Sequence, residues 1–266
     1  MYIFPYSFFL KAKVVVHSHS SKGRYPKINT IFRQIVNWVV DTRLSCSKVA
    51  SEWLFGKRYV QTTEIINNGI DTERFSYNNQ QREKIRNQYE IQEEEFLIGH
   101  VGRFSHAKNH EFIIEIFENI LRINNKAKLM LVGVGGKQKL IQELCKDKKI
   151  EDKVIFTGRQ SKTNEFYSAF DVFLMPSLFE GLPVVGIEAQ SEGLPCYFSN
   201  TIDKQISITN NAYVYSLLDS AEEWATKIVQ NGKNLNRDNH NMIVRTAGYD
   251  IKDTVHKIEE IYDETI

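Results

Sequence analysis

The chain has 266 residues, with 34 Lys and Arg against 33 Asp and Glu for a formal charge of +1, and 42% of it is hydrophobic. At about 150 residues per domain this is one large or two small domains, long enough to bury a core, which excludes wholesale disorder. The balanced charge excludes the strongly basic face of a nucleic-acid binder, and 14 Gly with 5 Pro exclude collagen-like and Pro-rich classes.

The opening segment MYIFPYSFFL is apolar but short, is broken by Pro5 and has no basic residues ahead of it. It does not read as a secretory signal, and no stretch reaches the ~18 apolar residues of a membrane span. KAKVVVHSHS reads as a strand, followed by the loop SSKGRYPK. The next helix carries Ile28, Ile31, Phe32, Ile35, Val36 and Val39 on one face. RLSCS and TEIINNGID read as two short strand-and-turn units, with Asn68-Gly69 as the turn signal. Residues 76–95 are rich in Asn, Gln and Glu and read as a linker.

From there strands and helices alternate. FLIGHV (96–101) reads as a strand and 109–122 as a helix with Phe112, Ile113, Ile116, Phe117, Ile120 and Leu121 on one face. Strand KLMLVG (128–133), helix 136–146, strand VIFTG (154–158), helix 163–170, strand DVFLMP (171–176), helix 183–192 and strand PCYFS (195–199) follow. A short strand at 212–215 and a helix near 220–231 complete the run. This alternation predicts a parallel sheet covered on both faces, with ligands beyond the carboxyl ends of its strands. The tail from Tyr249 is a charged amphipathic helix whose apolar face is Ile251, Val255, Ile258 and Ile261, suited to packing on the first domain. Cys46, Cys145 and Cys196 form no CxxC pair, which points to a reducing, cytoplasmic setting.

The most specific segment is FEGLPVVGIEAQSEGLP. Pro183 favours a helix opening there, whose free N–H groups face the carboxyl end of the sheet and suit phosphate oxygens. Glu188 is placed to accept from ribose hydroxyls and Glu180 from a sugar; two solvated surface glutamates are the plain alternative. In VGRFSHAKNH, Arg103 and Lys108 flank a loop at the same end and suit a diphosphate, against two ordinary surface cations. Gly102 there permits close backbone approach or is simply a turn. LVGVGG is not a GxGxxG loop and has no supporting acidic residue, so a dehydrogenase site is disfavoured. Arg159 after VIFTG either lines a base pocket or is an exposed strand-end residue. His17 ends the first strand and can reach a reacting sugar, although a lone His is more often structural. His100, His106 and His110 lie scattered near the Arg103 loop, with a merely solvent-facing residue as the plain alternative for any of them. No metal ligand set and no Asp-x-Asp pair is present.

Together INNGIDTERF, GHVGRFSHAKNH, LMLVGVGG, VIFTGR, DVFLMPSLFEGLPVVGIEAQSEGLP and the terminal helix resemble the family 4 retaining glycosyltransferases of the GT-B fold, of the bacterial capsule and exopolysaccharide type. The resemblance runs from about His17 to the C-terminus. It implies an α/β chain of GT-B architecture, with a complete C-terminal Rossmann-like domain and a partial N-terminal Rossmann-like domain. The implied division is 1–80 for the acceptor-side domain with its interdomain segment, 81–247 for donor binding, and 248–266 for the returning helix. It also implies that roughly the first hundred residues of the N-domain are missing, in keeping with about three strands where sheets average about 5–6.

Carried over by position, Arg103 and Lys108 would hold the donor diphosphate and Glu188 the nucleotide ribose. Glu180 with Gly181, Leu182 and Pro183 would hold the donor sugar and its β-phosphate, and Arg159 would frame the base. His17 would reach the donor sugar, and with Glu180 forms the catalytic pair. Asn68, Gly69 and Asp71 match the interdomain segment. The implied reaction moves a hexose from a nucleotide-diphosphate sugar, a UDP-sugar by expectation, to a hydroxyl of a polysaccharide or lipid-linked glycan with retention. No cofactor and no metal is expected. The implied partners are the donor, the glycan acceptor, a peripheral contact with the inner membrane face through the basic stretch Lys22–Arg33, and a separate chain supplying the missing half. The alternatives are an inactive or partner-dependent donor-binding remnant, and a nucleotide-sugar epimerase, which the EGLP element disfavours.

Overall fold

The computed structural model describes residues 13–19, 26–232 and 236–265. The apolar opening segment, Lys22, Arg24 and the Ile28 side chain lie outside the described residues. The chain divides into two compact units, one of Met1–Gly69 with Gly248–Ile266 and one of Ile70–Ala247.

In the smaller unit β1 (Val15–Ser18), β2 (Thr42–Ser45) and β3 (Glu64–Ile65) pair in parallel in the order β1-β2-β3. Their core joins Leu44, Ile66 and Val15 to Ile258 and Ile261 of the terminal helix, Ile251–Thr265. Gly69 lies against that helix: a Cβ there would sit 2.7 Å from the Ile251 Cα. Helix α1 (Pro26–Val39) departs from the expected burial. Val36 is buried, but Ile31, Phe32, Ile35 and Trp38 are exposed, Ile31 by 67% and Trp38 by 75%. The physical reason lies on the polar side of α1. Asn29 and Arg33 donate to the Trp53 carbonyl and Asn37 to that of Phe55, so hydrogen bonds fix which side faces inward. Those carbonyls end α2 (Lys48–Leu54), a helix the sequence reading did not contain, capped by Ser47 accepting from the Ala50 N–H.

The larger unit opens with α3 (Asn79–Gln88), where a linker was expected. A six-stranded parallel sheet follows in the order β6-β5-β4-β7-β8-β9. Its strands are β4 (Phe96–Val101), β5 (Ala127–Val132), β6 (Val154–Gly158), β7 (Val172–Met175), β8 (Cys196–Ser199) and β9 (Ala212–Tyr215). The helices are α4 (His110–Ile123), α5 (Gln138–Asp147), α6 (Thr163–Ala169), α7 (Val184–Ser191), α8 (Ala221–Asn231) and α9 (His240–Val244). Helix α4 packs on α5 and α8, and α6 on α3 and α7. The inner strands β5, β4, β7 and β8 are covered on both faces, as their near-continuous Val, Ile, Leu and Phe composition requires, while the edge strands β6 and β9 are only partly buried. Cys145 and Cys196 are buried as thiols in this unit.

Helix α3 is held by charge rather than by an apolar stripe. The Asp171 carboxylate, just before β7, accepts from Arg82 at 2.8 Å, from the Leu97 N–H at 2.7 Å and from Arg86 at 3.4 Å. Arg82 also donates to the Ala169 and Phe170 carbonyls, and Arg86 to those of Gln92 and Glu95. All three side chains are buried. Removing one member leaves buried charges without their partner, which costs several kcal/mol. Asp171→Ala is therefore expected to lower unfolding stability by about 3–5 kcal/mol, read as the shift of the urea midpoint.

Candidate functional site

The strand order reverses between β4 and β7: the chain moves outward from β4 through β5 and β6, then returns to β7 on its other side. At such a switch point the following loops diverge and leave a crevice beyond the carboxyl ends of the strands. Two segments meet there, residues 102–109 after β4 and 176–183 after β7. The Leu178 N–H donates to the Ala107 carbonyl at 2.8 Å, and Asn109 Nδ2 to the Pro176 carbonyl at 3.1 Å. Lys108 Nζ pairs with Glu180 Oε1 at 2.9 Å, both side chains being largely buried. The structure thus brings two expected site residues into one ion pair. From β8, Ser199 and Thr201 donate their hydroxyls to the Ser177 carbonyl, and the Asp203 N–H reaches Gly181 O at 3.3 Å.

The other loops are stapled in sequence. The Gly102 N–H donates to Val132 O, Phe104 N–H to Val134 O, and Gly133 N–H to Gly158 O. Gly133, at φ +139°, leaves no room for a side chain: a Cβ would lie 2.1 Å from the Gly102 carbonyl oxygen. A Cβ on Gly102 would lie 2.9 Å from His100 Nε2 and 3.3 Å from the Lys108 Cδ. That close approach, rather than a turn alone, accounts for glycine there.

Arg103 and Arg159 are exposed at this end of the sheet. Neither makes a side-chain hydrogen bond or ion pair among the described residues, so both guanidinium groups stay available. Pro183 is the N-cap of α7, and the helix proper starts one residue later than expected, at Val184. Glu188, on the second turn, accepts from the Tyr167 hydroxyl through Oε2 at 2.9 Å. Burial pushes the Glu188 carboxyl above its ordinary range; the Tyr167 hydrogen bond and then the Arg74 charge pull it back. Among the described residues, no group of three or more His, Cys, Asp or Glu could hold a metal ion.

His17 belongs to the smaller unit. It is half-buried, its ring lies tilted by 35° against that of His19 with centroids 4.0 Å apart, and its Nε2 is buried without a partner among the described residues. Burial and then the neighbouring His19 lower its pKa, against a hydrogen bond to the Ile66 backbone. His19 Nδ1 lies 3.0 Å from Asn68 Oδ1, and Asp71 in the larger unit accepts from the Arg74 N–H.

Of the three histidines near the Arg103 loop, His106 is exposed, whereas His100 and His110 are fully buried. Their rings meet edge to face at 4.8 Å, and His110 stacks on Phe104 at 4.2 Å. His100 Nδ1 donates to the Leu174 carbonyl at 2.8 Å, which leaves Nε2 as an unprotonated nitrogen without a partner. Neither nitrogen of His110 has a partner. Burial, the dominant cause, holds His100 well below its ordinary pKa and pushes His110 down to about 4, with Lys108 adding in the same direction for both. The unfolded chain takes up the His110 proton near its ordinary value of 6.5. Native stability therefore falls as pH drops from there to about 4, by about 3 kcal/mol from this group. His110→Phe is expected to flatten that acid loss and to cost little at neutral pH, where it replaces two unsatisfied nitrogens by apolar surface. Urea midpoints at neutral pH and at about pH 4.5 check both halves.

A family model described as "Glycosyl transferases group 1" matches residues 81–234. The chain is 30% identical over 263 residues to EpsF of Bacillus subtilis (strain 168), whose name describes it as a glycosyltransferase; the match covers 94% of this chain and 68% of EpsF. It is 28% identical to the UDP-Gal:alpha-D-GlcNAc-diphosphoundecaprenol alpha-1,3-galactosyltransferase of Escherichia coli, over 93% of this chain and 66% of that protein. The chain thus spans about two thirds of the length of these relatives. Among solved structures it is similar to Anabaena Alr3699/HepE, crystallised with UDP, at a TM-score of 0.81 and 19% identity, covering 98% of this chain and 75% of that one. The fold is accordingly α/β with parallel sheets, matching GT-B glycosyltransferase structures.

Proposed function

Because the chain belongs to the group 1 glycosyl transferases, we propose that it transfers a hexose from a nucleotide-diphosphate sugar, a UDP-sugar in the first instance, to a hydroxyl of a growing polysaccharide or lipid-linked glycan. The proposal includes retention of configuration and membership of family 4. The observation that carries it is the convergence of Lys108, Glu180 and the α7 start at the β4–β7 switch point, with Arg103 exposed beside them. Solved complexes of Alr3699/HepE with UDP and with UDP-glucose support the choice of donor.

In this reading Arg103 and Lys108 hold the diphosphate. Lys108 has three N–H donors and stands in an ion pair with Glu180, so it can bind a phosphate oxygen while that pair stands. The free N–H groups at the start of α7 add a neutral, preoriented contribution. Glu180, fixed by Lys108, faces the sugar hydroxyls, Glu188 takes the ribose and Arg159 frames the base. The sugar C1–O bond to the diphosphate breaks as an acceptor oxygen bonds to C1 on the same face. The acceptor's proton passes to the departing diphosphate, so no carboxylate nucleophile is needed. Negative charge grows on that leaving group, where two cations in a partly buried crevice are worth more than in water. Their charge is the reason we propose a metal-independent reaction. His17 is assigned to the donor sugar.

Titration of the purified chain with UDP and GDP by calorimetry tests the donor site. Glu188→Ala and Arg103→Ala are each expected to weaken binding by about tenfold to a hundredfold, the worth of a hydrogen bond to a charged group. Unchanged affinity in both variants removes the assignment.

We further propose that the protein works against a membrane face. The supporting observation is the exposed stripe of Ile31, Phe32, Ile35 and Trp38 along α1. Co-sedimentation with anionic vesicles at low salt is expected, and to be lost in Ile35→Ser/Trp38→Ser; a wild-type chain that stays in the supernatant ends the idea.

A further inference from the structure

We infer that Tyr167 is a positioning residue for Glu188, and that this pair sets the preference of the donor site for ribose over 2′-deoxyribose. The inference rests on the reading of Glu188 as the ribose acceptor.

Tyr167 lies on α6 and is fully buried. Phe75, Phe170 and Phe173 meet its ring edge-on with centroids at about 6 Å, so the ring has no room to swing. Its hydroxyl lies 2.9 Å from Glu188 Oε2 and 3.2 Å from the Val185 carbonyl. Both contacts come from one helix, α7, and they pin the hydroxyl from two sides. A hydroxyl carries a single proton, and the shorter contact is to the carboxylate.

The consequence falls on the carboxylate. The terminal torsion of a glutamate is broad, so a free Glu188 samples many orientations of its oxygens. The Tyr167 hydroxyl fixes Oε2 and so fixes the plane of the group. Oε1 makes no hydrogen bond among the described residues, and its lone pairs then point in a fixed direction. A cis-diol presents two O–H donors side by side. A fixed carboxylate can accept both, through Oε1 and the second lone pair of Oε2, without first losing rotational freedom. The same hydroxyl also favours the ionised form, which is the form that accepts two hydrogen bonds. A 2′-deoxyribose offers one donor and leaves a buried lone pair unmatched, and such mismatches are what a preorganised polar site rejects.

The test compares UDP and GDP with their 2′-deoxy counterparts by calorimetry on the wild-type chain, Tyr167→Phe, Glu188→Gln and the double variant. Circular dichroism and thermal melting establish that each is folded. The wild type is expected to prefer the ribonucleotide by about tenfold or more. In Tyr167→Phe, affinity for the ribonucleotide falls while that for the deoxynucleotide hardly moves, so the ratio collapses. In the Glu188→Gln background the Tyr167 substitution has no further effect on the ratio. A merely structural tyrosine would weaken both nucleotides alike. A folded Tyr167→Phe that keeps the wild-type ratio, while Glu188→Gln loses it, overturns the inference and leaves the donor site standing. A wild type that binds neither nucleotide overturns the donor-site reading and this inference with it, whereas one that binds ribo- and deoxynucleotide alike overturns the inference and the ribose role of Glu188 but not the diphosphate site.

Discussion

Everything at the candidate site depends on the reversal of strand order between β4 and β7. Parallel strands need crossovers of one hand, so connections leaving in opposite directions put their helices on opposite faces of the sheet. The chain after β4 and the chain after β7 therefore part as they leave the sheet. What closes the gap behind them is a short set of hydrogen bonds, Leu178 to Ala107 and Asn109 to Pro176, with Lys108 and Glu180 paired on top. A cation and a carboxylate from distant parts of the sequence are thus fixed to one spot by backbone geometry. The phosphate-binding and sugar-binding functions proposed for them need that shared spot as well as the two local segments that supply the residues.

The opposite end of the sheet shows how that geometry is kept rigid. There Asp171 ties the entry of β7 to the N–H of Leu97 in β4 and to two arginines of α3. A third buried cation, Arg237, donates to the carbonyls of Tyr167, Ser168, Phe170 and Glu192 and faces the Glu192 carboxyl at 3.7 Å. Burial pushes that carboxyl up to about 8. These guanidinium groups satisfy carbonyls at the end of α6, where a short helix leaves its last acceptors without intrahelical donors. Buried ion pairs such as that of Asp171 with its arginines add little net stability, but they punish displacement heavily, and displacement of α6 would draw Tyr167 away from Glu188 on α7.

The sequence made most of the larger unit's sheet legible, because its strands are short apolar runs and α4 repeats its apolar residues at helical spacing. It failed where burial is not apolar. Helix α3 has Ile85 alone as an apolar buried residue, beside Arg82 and Arg86, so a hydrophobic pattern search sees a polar linker. Helix α1 misled in the other direction. Its apolar period is real, yet Asn29, Arg33 and Asn37 decide which side faces inward. At the site, Arg103, Lys108 and Glu180 were legible because each follows a strand, and Glu188 because it lies in the first turns of the helix that Pro183 announces. Tyr167 was not, since its importance arises only when α6 and α7 pack. The buried state of His100 and His110 was equally hidden: a histidine in a strand and one at a helix start carry no local sign of their surroundings.

That histidine pair bears on how the site manages its charge. His100 and His110 stand directly behind the loop that carries Arg103 and Lys108, and a protonated imidazole there would add a third positive charge. Their burial keeps both imidazoles neutral near neutral pH, and the Lys108 charge acts in the same direction. The positive charge of the crevice is thereby confined to groups that reach its surface, where it can meet phosphate oxygens. Glu180 offsets part of it by pairing with Lys108, while Arg103 on the same loop keeps no protein partner among the described residues. A diphosphate entering this site meets one fully available guanidinium and one ammonium already oriented by a carboxylate. Orientation is the gain from that second arrangement, since a lysine held by Glu180 has less rotational freedom left to lose when it binds.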